Sequence, residues 1–228
     1  MLLSLIGLLD APLTMLAVLI AFLSALCISM PCHEFAHAHA AYKEGDLTAK
    51  TLGRYTLAPF AHIDWWGLLL LLICGIGYAK PVPVDSRSFR RGKKSAVRVA
   101  FAGVLTNIVI GIVCCLIFSL LINFWPELFT AYGFLSDLYY YFFQFIISLN
   151  FMFAFFNILP IYPLDGFRLV EAFSKPYNKY VMFMKAYGFW IMLVLILTGI
   201  LGLYIDFFAG GLANLVMQGF NALFGLMV

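Results

Sequence analysis

The chain has 228 residues, 64% of them hydrophobic and 11% charged, with a mean hydropathy of +0.99 and a formal net charge of +3. A soluble domain is about 45–50% apolar and about 25% charged, and a core of this size cannot hide so large an excess of apolar surface. The composition excludes a soluble globule, a disordered chain, a nucleic-acid-binding domain and a disulfide-stapled module, and it leaves an integral membrane protein built as a single domain, residues 1–228.

In chain order, the N-terminal MLLSLIGLLD has no basic n-region and no small-residue cleavage site, so it reads as mature chain. Ala11–Cys32 then offers 22 uncharged residues, enough for a spanning helix, which needs about 20. Trp65–Ala79, with 15 residues and three glycines, is short for a span and reads as a re-entrant or interfacial piece. Val99–Ile122, Leu138–Tyr162 and Ala186–Ile205 have 24, 25 and 20 uncharged residues and qualify as spans. The tail Phe207–Val228 is uncharged, with Asn214, Gln218 and Asn221 at helical spacing. It suits an amphipathic helix on the bilayer or against the bundle, or a fifth span. The five cysteines show no CxxC, and Cys27, Cys32, Cys114 and Cys115 lie in apolar runs, where they read as small buried hydrophobes.

All 14 Lys and Arg fall in two segments, Lys43 to Arg98 and Arg168 to Lys185. With four spans both segments share one side, which the positive-inside rule makes cytoplasmic. The expected fold is therefore an all-α polytopic membrane protein, a bundle of about four to six transmembrane helices with a re-entrant or β-like cytoplasmic insertion. The basic run Arg87–Arg98 suits contact with anionic lipid rather than nucleic acid.

The first span ends in Cys32-His33-Glu34-Phe35-Ala36-His37-Ala38-His39. A carboxylate near hydrocarbon is costly and marks function by default. Residues i and i+4 share a helix face, so His33 and His37 can grip one metal ion, with Glu34 within reach of a water beside it. This is the HExxH arrangement of zinc hydrolases. His39 faces elsewhere and is expected to be structural. A catalytic zinc takes three protein ligands and a water. The remaining candidates are His62, Asp64, Asp85, Asp165 and Glu171. Asp165 is best placed: the first span travels about 33 Å before His33, at about 1.5 Å per residue, and the Leu138–Tyr162 span ends on the same side in Asn157-Ile-Leu-Pro-Ile-Tyr-Pro-Leu-Asp165-Gly166. The prolines stop that helix and Gly166 permits a turn.

HEFAH on a transmembrane helix followed by NILPIYPLDG resembles the site-2 protease family of intramembrane zinc metalloproteases. Gly53-Arg54-Tyr55-Thr56-Leu57-Ala58-Pro59, His62-Ile63-Asp64, Ala79-Lys80-Pro81-Val82-Pro83-Val84 and Ala102-Gly103-Val104-Leu105-Thr106-Asn107, the last read as a helix start, are similar to further family segments, in order from about residue 30 to 170. Ala58, Trp65 or Trp66, and Val104 depart from the family pattern, and Pro31 just ahead of HEFAH should kink the helix or free a carbonyl. The resemblance implies the compact subgroup without a PDZ domain. It implies one Zn²⁺ per chain held by His33, His37 and Asp165, with Glu34 moving the proton and Asn157 stabilising the developing oxyanion. It implies a transmembrane protein or peptide as substrate and a prokaryotic inner-membrane setting, with the site near the cytoplasmic side. Two other readings compete: a metal-binding or transporting membrane protein, and a proteolytically inactive relative.

Overall fold

The computed structural model describes residues 11–74, 77–131 and 133–225. The expectation for MLLSLIGLLD lies outside them. Helix α1 covers Pro12–Lys43, α2 Trp65–Cys74, α3 Lys93–Phe124, α4 Phe134–Asn157, α5 Asp165–Phe173, α6 Lys179–Leu197, α7 Ile200–Ile205 and α8 Gly211–Gly225. Among the described residues there is no strand, so the β-like insertion is corrected to short helices and irregular loop.

The bundle rests on α1, α3 and α4. The buried face of α1 includes a row with a residue every four: Ala17, Ala21, Ala25, Ser29, His33, His37 and Ala41. That of α3 is Val99, Gly103, Asn107, Gly111, Cys115 and Ser119, again every four. Small side chains in such rows let helix backbones approach closely, which is what packing must rely on where lipid is as apolar as the helix. Gly111 shows the consequence: a Cβ there would sit 2.9 Å from the ring of Phe151, which is wholly buried on α4. Pro31 lies within α1, which continues on both sides of it. The AGVLTN segment is not a helix start; α3 begins at Lys93 and places Asn107 well inside.

Buried polar ties close the end of the bundle that carries the basic residues. Glu44 accepts from Ser95 Oγ at 2.7 Å and from Arg98 Nη1 at 2.6 Å, and Asp46 accepts from the backbone N–H groups of Thr48 and Asp85 at 2.9 and 2.8 Å. Asp64 caps α2 by accepting from the Gly67 N–H at 3.0 Å. At ten residues α2 is about 15 Å long, too short to span. The chain returns beside it: a Cβ on Gly67 would collide with the Tyr78 carbonyl, so only glycine admits this approach.

Among the described residues five helical runs are long and apolar enough to cross a membrane: α1, α3, α4, α6 and Ile200–Gly225. The last joins α7 to α8 through a π-helical turn at Asp206–Gly210. It starts beside the C-terminal end of α4, where Tyr204 donates to the Phe155 carbonyl at 3.3 Å and Phe208 stacks on Phe155. It finishes beside the C-terminal end of α3, where Phe224 meets Phe124 and Ser119 donates to Asn221. The described part of the uncharged tail, to Gly225, thus belongs to a helix running the length of the bundle.

The span expected at Ala186–Ile205 is corrected. It breaks at Gly199, whose φ of 76° is the left-handed conformation glycine supplies at a helix end. At the start of α6, Tyr180 donates to the Pro160 carbonyl at 2.5 Å. Near its end, Met192 packs with Ile161, Leu164 and Leu201. Both ends of α6 are therefore held by the segment that follows α4, and the helix that pairs lengthwise with α3 is Ile200–Gly225. Among the described residues α6 and Ile200–Gly225 are both long and apolar enough to cross a membrane, so the expected span moves to Lys179–Leu197 and a further one follows it.

Candidate metal centre

His33 and His37 stand one turn apart on the buried face of α1, and Asp165 opens α5. All three are buried. His33 Nε2 and His37 Nε2 lie 3.0 Å apart, and Asp165 Oδ2 lies 3.2 Å from the first and 2.9 Å from the second. Among the described residues this is the group of three potential ligands placed to share a metal ion. His62, Asp64, Asp85 and Glu171 are engaged elsewhere: His62 with the Thr56 carbonyl at 2.8 Å, Asp64 as the cap of α2, Asp85 with Arg87, and Glu171 with Lys185. His39 pairs with Tyr55 Oη at 2.7 Å, away from this group.

The hydrogen bonds behind the ligands set their protonation. Asn150 Nδ2 donates to the Ile146 carbonyl at 2.7 Å, which fixes the orientation of its amide, and the same nitrogen reaches Ser29 Oγ at 2.7 Å. Asn150 Oδ1 is then the acceptor for Asn107 Nδ2 at 2.9 Å. Asn107 Oδ1 consequently faces His33 Nδ1 at 2.6 Å, and His33 must donate. His37 Nδ1 meets the Val99 carbonyl at 2.7 Å and must donate too. A neutral imidazole protonated at Nδ1 has a bare lone pair at Nε2. Two such lone pairs and a carboxylate oxygen converge, three acceptors with no proton among them. That arrangement calls for a cation. A tetrahedral zinc with bonds of about 2.0–2.1 Å separates its ligands by about 3.3 Å, close to the spacing here. The residues fit a zinc ion.

As a carboxylate, Asp165 offsets part of a cation's charge.

Glycine makes the approach of α3 and α5 possible. A Cβ on Gly103 would lie 2.5 Å from both His33 Cε1 and His37 Nε2. Gly166 was expected to permit a turn; it sits instead in the first helical turn of α5, where a Cβ would strike the backbone of Ile158 and Leu159. Glu34 Oε2 accepts from the backbone N–H of Val82 at 2.8 Å. Asn157 ends α4 with its amide donating to the Phe153 carbonyl at 3.0 Å. Sequence reasoning passed over Asn107, Asn150 and Ser29 as a unit. The signal was there: polar residues inside apolar spans, with Ser29 one turn ahead of His33.

Residues 133–199 match Peptidase family M50. YwhC of Bacillus subtilis (strain 168), named a putative zinc metalloprotease, is 38% identical over 181 residues, 79% of this chain and 81% of that one. Rip2 of Mycolicibacterium smegmatis (strain ATCC 700084 / mc(2)155), also so named, is 28% identical over 193 residues, 82% of this chain and 70% of that one. The zinc metalloprotease MJ0392 of Methanocaldococcus jannaschii is 27% identical over 186 residues, 79% of this chain and 43% of that one. No solved structure matches the chain.

Proposed function

This chain belongs to Peptidase family M50, the site-2 protease family of zinc metalloproteases, and from that membership we propose that it hydrolyses peptide bonds within or near transmembrane segments of other proteins. The observation that carries the reading is the convergence of His33 Nε2, His37 Nε2 and Asp165 Oδ2 as a buried group, with both histidines on the membrane-length α1. Those three hold one Zn²⁺ per chain. When bound there, zinc supplies a Lewis acid that lowers the pKa of water to about 7 and polarises a carbonyl.

The chain's own residues do the rest. Val99 and Asn107 keep His33 and His37 in the tautomer that binds metal. Glu34 is the general base and then the general acid: it takes a proton from the attacking water and returns it to the leaving amine. Asn157 donates to the developing oxyanion through the amide N–H that the Phe153 carbonyl does not take.

The substrate is an unwound transmembrane segment, because helical backbone is internally hydrogen-bonded and resists attack. Residues with poor helix propensity near the cut favour that unwinding. Pro81–Val84 and the re-entrant α2 line the groove, and the substrate chain pairs, as an added strand, with the backbone groups of that segment that Arg54 and Glu34 leave free. The whole of 1–228 acts as one membrane domain in a prokaryotic inner membrane. The basic segments beside the site support a position at the cytoplasmic side, by the positive-inside rule.

The test is purification in detergent, zinc determination, and cleavage of a helix-bent transmembrane substrate by the wild type and Glu34→Gln. The proposal expects zinc in both and cleavage by the wild type alone. Cleavage by Glu34→Gln overturns it. Zinc without any cleavage favours a metal-binding or inactive relative.

A further inference from the structure

Glu34 is oriented by a segment far away in sequence. The N–H of Val82 donates to Glu34 Oε2 at 2.8 Å across a gap of 48 residues. Val82 is 2% exposed and packs on Ala38, one turn beyond Glu34 on the same helix face. The flanking residues narrow the choice of donor. Pro81 and Pro83 have no N–H, and Pro83 holds the residue before it in extended backbone. Of residues 81–83, only Val82 can donate, and its donor is spent on Glu34.

The segment is itself held by one side chain. Arg54 is buried, and its guanidinium reaches three backbone carbonyls: Ala61 through Nη1, and Lys80 at 2.5 Å and Pro81 at 3.2 Å through Nη2. The Lys80 N–H meets the His62 carbonyl at 2.9 Å and fixes the same stretch from the other side. An arginine suits this task because its rigid fork of donors satisfies several carbonyls at once. None of these bonds touches the three metal ligands.

We propose that Arg54 is a positioning residue for Glu34, acting through the Val82 N–H. The guanidinium fixes the Lys80 and Pro81 carbonyls, so that the next peptide N–H lands on Glu34 Oε2. That bond restrains the carboxylate and leaves Oε1 for the reacting water. The inference rests on Glu34 being the proton carrier and adds what aims it.

The experiment has two arms on the full chain in detergent. Amide hydrogen exchange reads the contact without reference to activity. The Val82 amide is expected to be protected in the wild type and to exchange faster in Glu34→Ala and Arg54→Gln. In Glu34→Ala the Lys80 amide stays protected. Kinetics reads the consequence. Val82→Pro removes the donor together with the packed valine side chain and should lower kcat about tenfold to a hundredfold, part of the range for general acid–base help, with KM and zinc content little changed. Arg54→Gln should do the same, Arg54→Lys should recover part of it, and the Arg54→Gln/Val82→Pro double variant should lose no more than either alone. Val82→Ala, which keeps the N–H, should retain more of kcat than Val82→Pro. An unprotected Val82 amide in the wild type overturns the proposal whatever the kinetics, as does wild-type kcat in Val82→Pro. A protected amide beside normal cleavage by Glu34→Gln overturns the role of Glu34 while the contact stands.

Discussion

Helices α1 and α3 bury rows of small and polar residues against each other and against Ile146, Asn150 and Phe151 of α4, whereas α6, equally suited by length and apolarity to a membrane, buries only Gly188 and Met192. The first group holds Ser29, His33, Asn107 and Asn150 in one connected set of hydrogen bonds; α6 presents Phe183, Tyr187, Phe189, Trp190, Val194 and Leu197 outward. The difference shows what precision costs in lipid. Apolar bulk gives a helix a place in the membrane but no fixed neighbour, because lipid competes equally for its surface. Position comes from close backbone approach and from polar groups that must find partners. The metal centre is built where both occur.

The comparison breaks most completely at the ligands. Asp165→Ala removes the only charged member of the three acceptors, and both zinc and cleavage should be lost; metal analysis of the purified variant checks this. Chelation should also lower the thermal midpoint of the wild type, by up to about 4 kcal/mol of lost stabilisation if zinc stood at about 1,000 times its dissociation constant. The same chelator should leave Asp165→Ala unmoved. A chelator-induced drop of equal size in both proteins would show that the stabilising metal sits elsewhere.

Asn107→Ala tests the polar half of the argument one shell out. It frees His33 Nδ1 and leaves Asn150 Oδ1 without its donor, and zinc affinity should fall about tenfold to a hundredfold, the usual range for such partners. Competition with a calibrated chelator gives the number directly; unchanged affinity would mean that α1 alone orients His33.

At the loop end of the same core, Glu44 titrates with a known sign. The Ser95 hydroxyl and then Arg98 hold its carboxyl below the ordinary value of about 4.3. Its contribution to stability is therefore complete above that value and is lost as pH falls through the lower folded value. Glu44→Gln should flatten the acid side of the stability profile, leaving it parallel to the wild type above about pH 6. The smallest effect belongs to α6. Trp190→Ala, at an outward position with 61% exposure, should change stability by less than about 0.5 kcal/mol and leave zinc content alone. A large loss would mean that α6 is packed against something after all.

Much of the centre was legible because its parts are local. His33, Glu34 and His37 lie within five residues, and helix geometry alone puts the histidines on one face. Asp165 followed from matching two span lengths. The error at Ala186–Ile205 arose because hydropathy measures how well a run tolerates lipid and says nothing about a single left-handed residue, Gly199, that redirects it. The expected β-like insertion failed for a related reason: the prolines of Pro81–Val84 give extended backbone, but a strand also needs a partner, and here the backbone groups go to Arg54 and Glu34.

By itself the sequence determined that the chain enters a membrane, which segments carry positive charge, and which i and i+4 histidines offer themselves to a metal. These depend on composition and helical period, both readable along one dimension. Only the tertiary structure decided that Asn107 and Val99 set the histidine tautomers, that Gly103 lets α3 reach them, and that the Val82 N–H meets Glu34. Those contacts join residues from 48 to 74 positions apart, where pairing is chosen by how closely helices pack and by which buried donors remain unspent.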